Sequence, residues 1–412
     1  MPIAKTVTLI ASVLLLTSAS HSDDLSQQIV QNRMGNLIVY ADPGANVQIE
    51  QVRHEFWFGA ALSNWMFQPG NTSLDAQKYK EVFLENFNSA VTENAVKWYS
   101  MERRKGQVDY SIVDSMLEWT DENDIPLRGH NLFWGVSQFV QPWLKELSDD
   151  ELREAIRNRA ITMGKRYKGR FVEYDLNNEM IHENFYEKRL GSGITKQMTD
   201  WFRQEDPDTP LYVNDYDILT GNRLDDYVQH IRGLLNADIP IGGIGVQGHF
   251  HGETFDADAL QKSLDVLAQL NLPIRITEFN MPGQKSVYYK ERRAKLTDEQ
   301  EKQKAEELVK YYRICFAHPA VEGILMWGFW EGANWIPTSS LYLRDWTPTP
   351  AAHAYRDLVF NEWWTKYDGK TDDDGHCQVK AFYGKYRVKV NDKVKFVKLE
   401  KKDGEKTVSF LE

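Results

Sequence analysis

Eight short β-rich apolar runs recur along the sequence, at residues 56–62, 87–92, 127–133, 171–176, 211–213, 244–246, 274–277 and 324–327. Between them lie segments of helical spacing that include 75–85, 110–123, 148–167, 195–204, 222–235, 256–270 and 297–317, and 350–359 closes the series. Two of these open on a hydroxyl with a carboxylate or amide one turn on, Ser148 with Glu151 and Thr297 with Gln300, the pattern of a capping box. Strands that alternate with helices are joined by crossovers and run parallel. Eight such units close a (β/α)8 TIM barrel, and roughly 310 residues is a comfortable size for one with loop insertions. The competing α/β arrangement is an open, doubly wound sheet. Against it, no Gly-rich phosphate loop follows the first run, and Gly242-Gly243-Ile244-Gly245 precedes a run.

Two pieces lie outside the repeat. Residues 37–52 are strand-like and broken by the turn residues Asp42-Pro43-Gly44. Residues 366–412 begin with a polar run and then alternate through Phe382, Tyr386, Val388, Val390, Val394, Phe396 and Val397. The two are expected to pack together as a small β-element flanking the barrel. A separate binding module is the alternative, although about 45 residues is small for an independent core. Residues 1–20 read as a secretory signal, with Lys5, an apolar run over 7–16 and the small residues Ser18-Ala19-Ser20. A bilayer span needs about 20 apolar residues, so export is expected and membrane anchoring is the alternative. The expected organisation is a signal at 1–20, an N-terminal β-flank at 24–55, the barrel at 56–365 and a C-terminal β-flank at 366–412.

Composition narrows the function. The formal charge of −11 disfavours nucleic acid as a partner, because polyanion binders neutralise phosphates with a basic surface. Two Cys exclude a disulfide scaffold and a Cys-rich zinc module. Export would permit Cys315 and Cys377 to pair, and two free thiols are the alternative. Asn71-Thr72-Ser73 is an acceptor sequon only in a eukaryotic secretory route and is read as a chance occurrence. The unusual figure is the aromatic content of 12%, with 13 Trp. Such rings fill cores, and they also stack on flat apolar ligand faces.

Barrel active sites sit at the C-terminal ends of the strands. There the sequence places Glu93, Asn94 and Lys97-Trp98, then Arg128-Gly129-His130 with Trp134, then Asp175 with Asn177-Asn178-Glu179. Asn214-Asp215-Tyr216, Gln247-Gly248-His249, Glu278-Phe279-Asn280 and Trp327 to Glu331 with Trp335 follow on later strands. Glu179 and Glu278 stand out as paired carboxylates that should face one mouth. Paired carboxylates beside ring-stacking Trp fit glycoside hydrolysis, where one acid keeps its proton and the other stays ionised. His130, Glu179, His249 and Glu278 could also ligate a metal, but no His-x-His or His-Glu-x-x-His pair seeds a zinc centre. No metal and no cofactor are expected.

In this order on successive strand ends, the pieces Glu93-Asn94-Ala95-Val96-Lys97-Trp98, Arg128-Gly129-His130, Asn178-Glu179, Asn214-Asp215-Tyr216, Gln247-Gly248-His249, Ile276-Thr277-Glu278 and Trp327-Gly328 resemble glycoside hydrolase family 10, the retaining endo-β-1,4-xylanases. The resemblance implies a TIM barrel, with Glu179 as acid/base and Glu278 as nucleophile. It implies Asn178 on the sugar 2-hydroxyl, His249 orienting Glu278, and Gln247 supporting Glu179. Glu93, Asn94 and Lys97 would bind glycone sugars. His130 and Trp134 would line the pocket of the cleaved sugar, with Trp327 and Trp335 as walls and Tyr216 among the binding residues. Trp98 is expected in the core, with Trp57, Trp119 and Trp201. Trp330 is expected beside the cleft.

The sequence departs from the family pattern at Gly135, at Glu278-Phe279-Asn280, at Asn177 and in the run from Trp327 to Trp335. Trp330 and Asn177 are the positions that could reshape the pocket for a glucose hydroxymethyl group. The expected partner is a β-1,4-linked polysaccharide, xylan or glucan, bound by a monomer. A β-1,4-glucanase of the same family and a non-catalytic binding protein on the same scaffold are the alternatives.

Overall fold

A computed structural model describes residues 24–411. The expected signal at 1–20 lies outside the described residues. Eight strands form the barrel: β1 (Trp57–Leu62), β2 (Ser89–Thr92), β3 (Leu127–Gly129), β4 (Glu173–Asn178), β5 (Leu211–Asp215), β6 (Gly243–Val246), β7 (Ile274–Gln284) and β8 (Val321–Met326). Each pairs in parallel with the next, and β8 returns to β1 with Gly323 opposite Trp57 and Met326 opposite Ala60. The sheet is closed, so the open doubly wound alternative does not apply.

The helices between the strands are α1 (Leu74–Asn86), α2 (Ser111–Glu122), α3 (Asp149–Tyr167), α4 (Gly193–Arg203), α5 (Leu224–Asn236), α6 (Ala257–Ala268), α7 (Asp298–Ala317) and α8 (Pro350–Asp357). α3 starts at a complete capping box of Ser148 and Glu151, and Thr297 and Gln300 make the same reciprocal pair before α7. α4 buries Ile194, Met198 and Phe202, one per turn on a single stripe. Adjacent strands also exchange volume. Tyr174 lies opposite Gly129 and Tyr212 opposite Gly243, and a β-carbon at either glycine would fall 2.2 or 2.1 Å from the facing ring.

The barrel interior holds charge as well as hydrocarbon. Glu173 on β4 takes Arg275 of β7 in a bidentate pair at 3.1 and 3.0 Å, and shares its Oε1 with Arg128 of β3. Arg128 also pairs with Asp175. Burial works against the charge on Glu173, but Arg275 and Arg128 outweigh it and hold its carboxyl below the usual range.

The second compact unit is built from residues up to Phe56, Lys310–Pro319 and Leu358–Glu412. Met34–Tyr40 lies between His376–Phe382, antiparallel to it, and Glu405–Ser409, parallel to it. Asn46–His54 pairs with Lys366–Lys370 and Gly384–Val390, and the latter pairs with Lys393–Leu399. Alternating Leu37, Val39, Val47 and Ile49 pack with Tyr386, Val388, Val390 and Leu399. Strands from both flanking pieces thus share two small sheets. Cys315 and Cys377 are free, buried thiols and not a disulfide.

Glu173→Gln removes the shared counter-charge of two buried guanidinium groups. We expect a loss of about 3–5 kcal/mol in urea unfolding. An unchanged midpoint would show that the ionic chain is dispensable for stability.

Candidate active site

Two carboxylates lie near each other at the C-terminal end of the barrel, and their surroundings differ. Glu179 follows the last residue of β4 with φ at 60°, in the left-handed region that costs a non-Gly residue roughly 1 kcal/mol or more. Its backbone N–H donates to the Asn214 carbonyl at 2.9 Å, which anchors the turn. Its carboxyl accepts from Trp134 Nε1 at 3.0 Å and from Gln247 Nε2 at 2.9 Å. Burial pushes its pKa up to about 7; the Gln247 hydrogen bond opposes this, and the charges of Glu278 and Asp215 add to it.

Glu278 lies inside β7 and is more deeply buried. Asn214 Nδ2 donates to its Oε1 at 2.9 Å, His249 Nε2 lies 3.2 Å from Oε2, and His130 Nδ1 lies 3.9 Å from Oε1. Burial alone would raise its pKa. The electrostatic influence of His130, the His249 hydrogen bond and Lys97 outweigh burial and bring it down to about 2. Asn214 is the common point of this half of the site. Its Nδ2 also reaches Asn178 Oδ1 at 3.0 Å, and its own Oδ1 accepts from Thr277 Oγ1 at 2.7 Å. His130 is oriented by Asp175, whose Oδ2 lies 2.8 Å from Nδ1.

Lys97 sits between the halves. It is buried, donates to Asn94 Oδ1 at 2.9 Å, and lies over the rings of Trp134 at 4.7 Å and Trp327 at 5.6 Å. Burial lowers its pKa against the pull of Glu278, Glu93, Glu179 and Asp175. Burial likewise pushes Glu93 up to about 7, with Lys97 and Asn94 opposing it. Trp335 lies 4.9 Å from the His249 ring and donates to Asn280 Oδ1 at 2.8 Å. Tyr216 stacks on His182 at 3.6 Å, and His182 is held by Asp215 at 2.7 Å. Among the described residues no three His, Cys, Asp or Glu side chains are grouped as metal ligands.

Twelve of the thirteen residues singled out from sequence are thus linked to one another, and Tyr216 lies beside them through His182 and Asp215. Trp98 is buried, as expected. Trp330 departs from the expectation that it lies beside the cleft. It is buried, stacks on Trp346 at 4.4 Å with planes 3° apart, and donates to the Arg344 carbonyl. Asn177 is also fully buried, and neither of its amide atoms has a partner among the described residues. Sequence reasoning gave Asn214, Thr277, His182 and Asn280 no role. Asn214 was visible at a strand end, but its link to both Asn178 and Glu278 exists only once β4, β5 and β7 are adjacent.

Fold and site together define a parallel barrel with a paired-carboxylate mouth walled by tryptophan. The chain belongs to glycosyl hydrolase family 10, whose model matches residues 49–358. It is 33% identical over 351 residues to endo-1,4-beta-xylanase 1 of Arabidopsis thaliana, covering 84% of this chain and 34% of that protein. It is 34% identical over 376 residues to anti-sigma-I factor RsgI6 of Acetivibrio thermocellus, covering 89% of this chain and 46% of that protein. The chain thus spans less than half the length of these relatives. Among solved structures, xylanase 10B from Thermotoga petrophila RKU-1 in complex with xylobiose superposes with a TM-score of 0.66 at 26% identity, covering 75% of this chain and 95% of that one. Native xylanase 10B from Thermotoga maritima gives 0.65 at 26%, covering 75% and 96%.

The raised pKa of Glu179 has a stability consequence. Its folded value near 7 lies above the unfolded value of 4.5, so ionising it costs the folded state increasingly from pH 4.5 upward and fully above 7. Glu179→Gln should be more stable than the native chain by about 3 kcal/mol at pH 8 and equal to it at pH 4. A thermal-unfolding difference that does not grow with pH would contradict the assignment.

Proposed function

We propose that the chain is a secreted, retaining endo-β-1,4-xylanase. The observation that carries this reading is the opposed ionisation of two carboxylates in one mouth, Glu179 held up and Glu278 held down. Glu278, ionised at neutral pH, attacks the anomeric carbon while Glu179 gives its proton to the departing glycosidic oxygen. The sugar is then held as an ester of Glu278. Glu179, now a carboxylate, takes a proton from water, whose oxygen displaces Glu278 and restores both groups. Asn178 is positioned through Asn214 beside the same carboxylate and serves the sugar 2-hydroxyl. Lys97, Asn94 and Glu93 hold the glycone side against Trp134 and Trp327.

Support for xylan as the polymer comes from the xylanases among the relatives and from the Thermotoga petrophila structure with xylobiose. Trp330, one of the two positions that could open the pocket for a hexose, is instead taken up by its stacking on Trp346 and its hydrogen bond to the Arg344 carbonyl. Secretion rests on residues 1–20 alone, and mature N-terminal sequencing of exported protein tests it. A second reading, saccharide binding without turnover, draws on the likeness to an anti-sigma factor. Retention of both carboxylates speaks against it.

Glu278→Ala should reduce xylan hydrolysis by about 10⁴-fold or more, with circular dichroism unchanged. Proton NMR of the native reaction should show the β-anomer first; an α-anomer first would overturn the retaining mechanism. Equal or faster cleavage of soluble cellulose derivatives would shift the assignment to a glucanase. In the pH profile of kcat/KM, activity should fall as pH rises through about 7, when Glu179 loses its proton. The Gln247 amide stabilises the charged form, so Gln247→Leu should move that limb to higher pH; a downward shift would contradict it.

A further inference from the structure

The barrel carries a second concavity that no step of the reaction uses. It lies between the segment after β2 and the outer face of α3, and its volume is about 420 Å³. Small-molecule pockets span roughly 300–1,000 Å³, so it has room for about two pyranose rings. Its lining includes Trp143, Tyr110, Glu102, Glu154, Asn158 and Arg159.

These groups have the character of a saccharide site. The Trp143 indole is fixed, edge-on to Trp98 at 6.0 Å and donating from Nε1 to the Glu102 carbonyl at 3.3 Å. A fixed indole in a cavity wall offers a flat apolar surface at little entropic cost. Glu102 is held as well, accepting from Trp98 Nε1 at 2.8 Å and from the Gly106 N–H at 2.7 Å. Glu154 and Asn158 are one turn apart on α3 and share a face. Arg159 is buried and donates to the Val96 carbonyl at 2.6 Å, the Leu132 carbonyl at 3.4 Å and Met101 Sδ at 3.2 Å. A guanidinium has five N–H groups, so donors remain. No carboxylate forms an ion pair with Arg159 among the described residues, and burial lowers its pKa to about 10.

Charge decides between ligand classes. Glu102, Glu151 and Glu154 outnumber Lys105 and Arg159 in the lining, which disfavours a phosphate or a uronate. The wall is more apolar than polar, which suits the face of a sugar ring, and Glu154 and Asn158 add hydrogen-bonding groups that a purely apolar guest would leave unused. We propose that this cavity is a second saccharide site, which holds a short neutral stretch of the β-1,4-linked polymer apart from the catalytic mouth. The identity of the polymer rests on the xylanase reading; the existence of the site does not. The cavity also adjoins the glycone segment, because Arg159 bonds the Val96 carbonyl and Trp98 directly follows Lys97.

Fluorine NMR of the full chain labelled with fluorotryptophan tests this. Glu278→Gln prevents turnover, and single Trp→Phe variants assign the resonances. On titration with xylohexaose, the Trp143 resonance should shift saturably, separately from those of Trp327 and Trp335. Asn158→Ala, an exposed change, should weaken the Trp143 response about fivefold or more and leave the cleft response unaltered. In the otherwise native chain it should leave cleavage of a short aryl xylobioside unchanged while slowing that of insoluble xylan. A Trp143 resonance that stays still while the cleft saturates overturns the second site and leaves the proposed function standing. A Trp143 shift with oligogalacturonate and none with the neutral chain also overturns it. Cleft resonances that respond only to cellohexaose overturn the xylan reading, and the Trp143 response to cellohexaose then decides the site by the same criterion.

Discussion

Inside the barrel, an ionic chain runs from floor to mouth: Arg275, Glu173, Arg128 and Asp175 alternate in charge, and Asp175 holds the His130 ring that faces Glu278. Removing a charge from water is expensive, and the cost is recovered only when every member has a partner in good geometry. Strands β3, β4 and β7 each contribute to this chain, so it ties non-neighbouring staves of the barrel together. It also transmits position. Asp175 cannot shift without releasing either Arg128 or the His130 ring, and His130 faces Glu278. The ionised state of Glu278 is therefore set by residues that begin deep in the barrel, on strands and not on loops, where placement is more rigid.

The contrast between the two glutamates follows from what each is given. Glu278 receives an amide, two imidazoles and the field of an ammonium group. Glu179 receives an indole and an amide, both neutral, in a site from which water is largely removed. Neutral donors do not offset burial, whereas nearby positive charge does. Two identical side chains on one mouth thereby hold different protonation states at the same pH, which is what acid and nucleophile need in a single step.

Much of this was legible in the sequence. The strand and helix runs stand out because each strand is short, apolar and flanked by polar residues, and each long helix carries a cap or stripe. The C-terminal limits of β4 and β7 were less visible. The polar residues Asn177-Asn178 and the stretch after Thr277 look like loop, yet they are buried in the barrel. The ionic floor was hidden for a related reason: Glu173 and Arg275 fall inside runs read as apolar strands and Arg128 inside a strand-end motif, and their pairing exists only once β3, β4 and β7 come together. Trp330 shows the converse. Its place after a strand suggested a cleft platform, but a partner sixteen positions on, Trp346, turns its ring into the core.

The terminal sheets have a consequence for the order in which the chain acquires structure. Met34–Tyr40 is a central strand whose neighbours are His376–Phe382 and Glu405–Ser409. During synthesis both its edges stay unsatisfied until more than three hundred further residues have emerged. Unpaired apolar edges are templates for intermolecular pairing. Asn46–His54 waits for its partner strands in the same way, and its outward-facing Glu50 and Arg53 then act as a guard on the nascent chain as well as part of a solvated face of the finished protein.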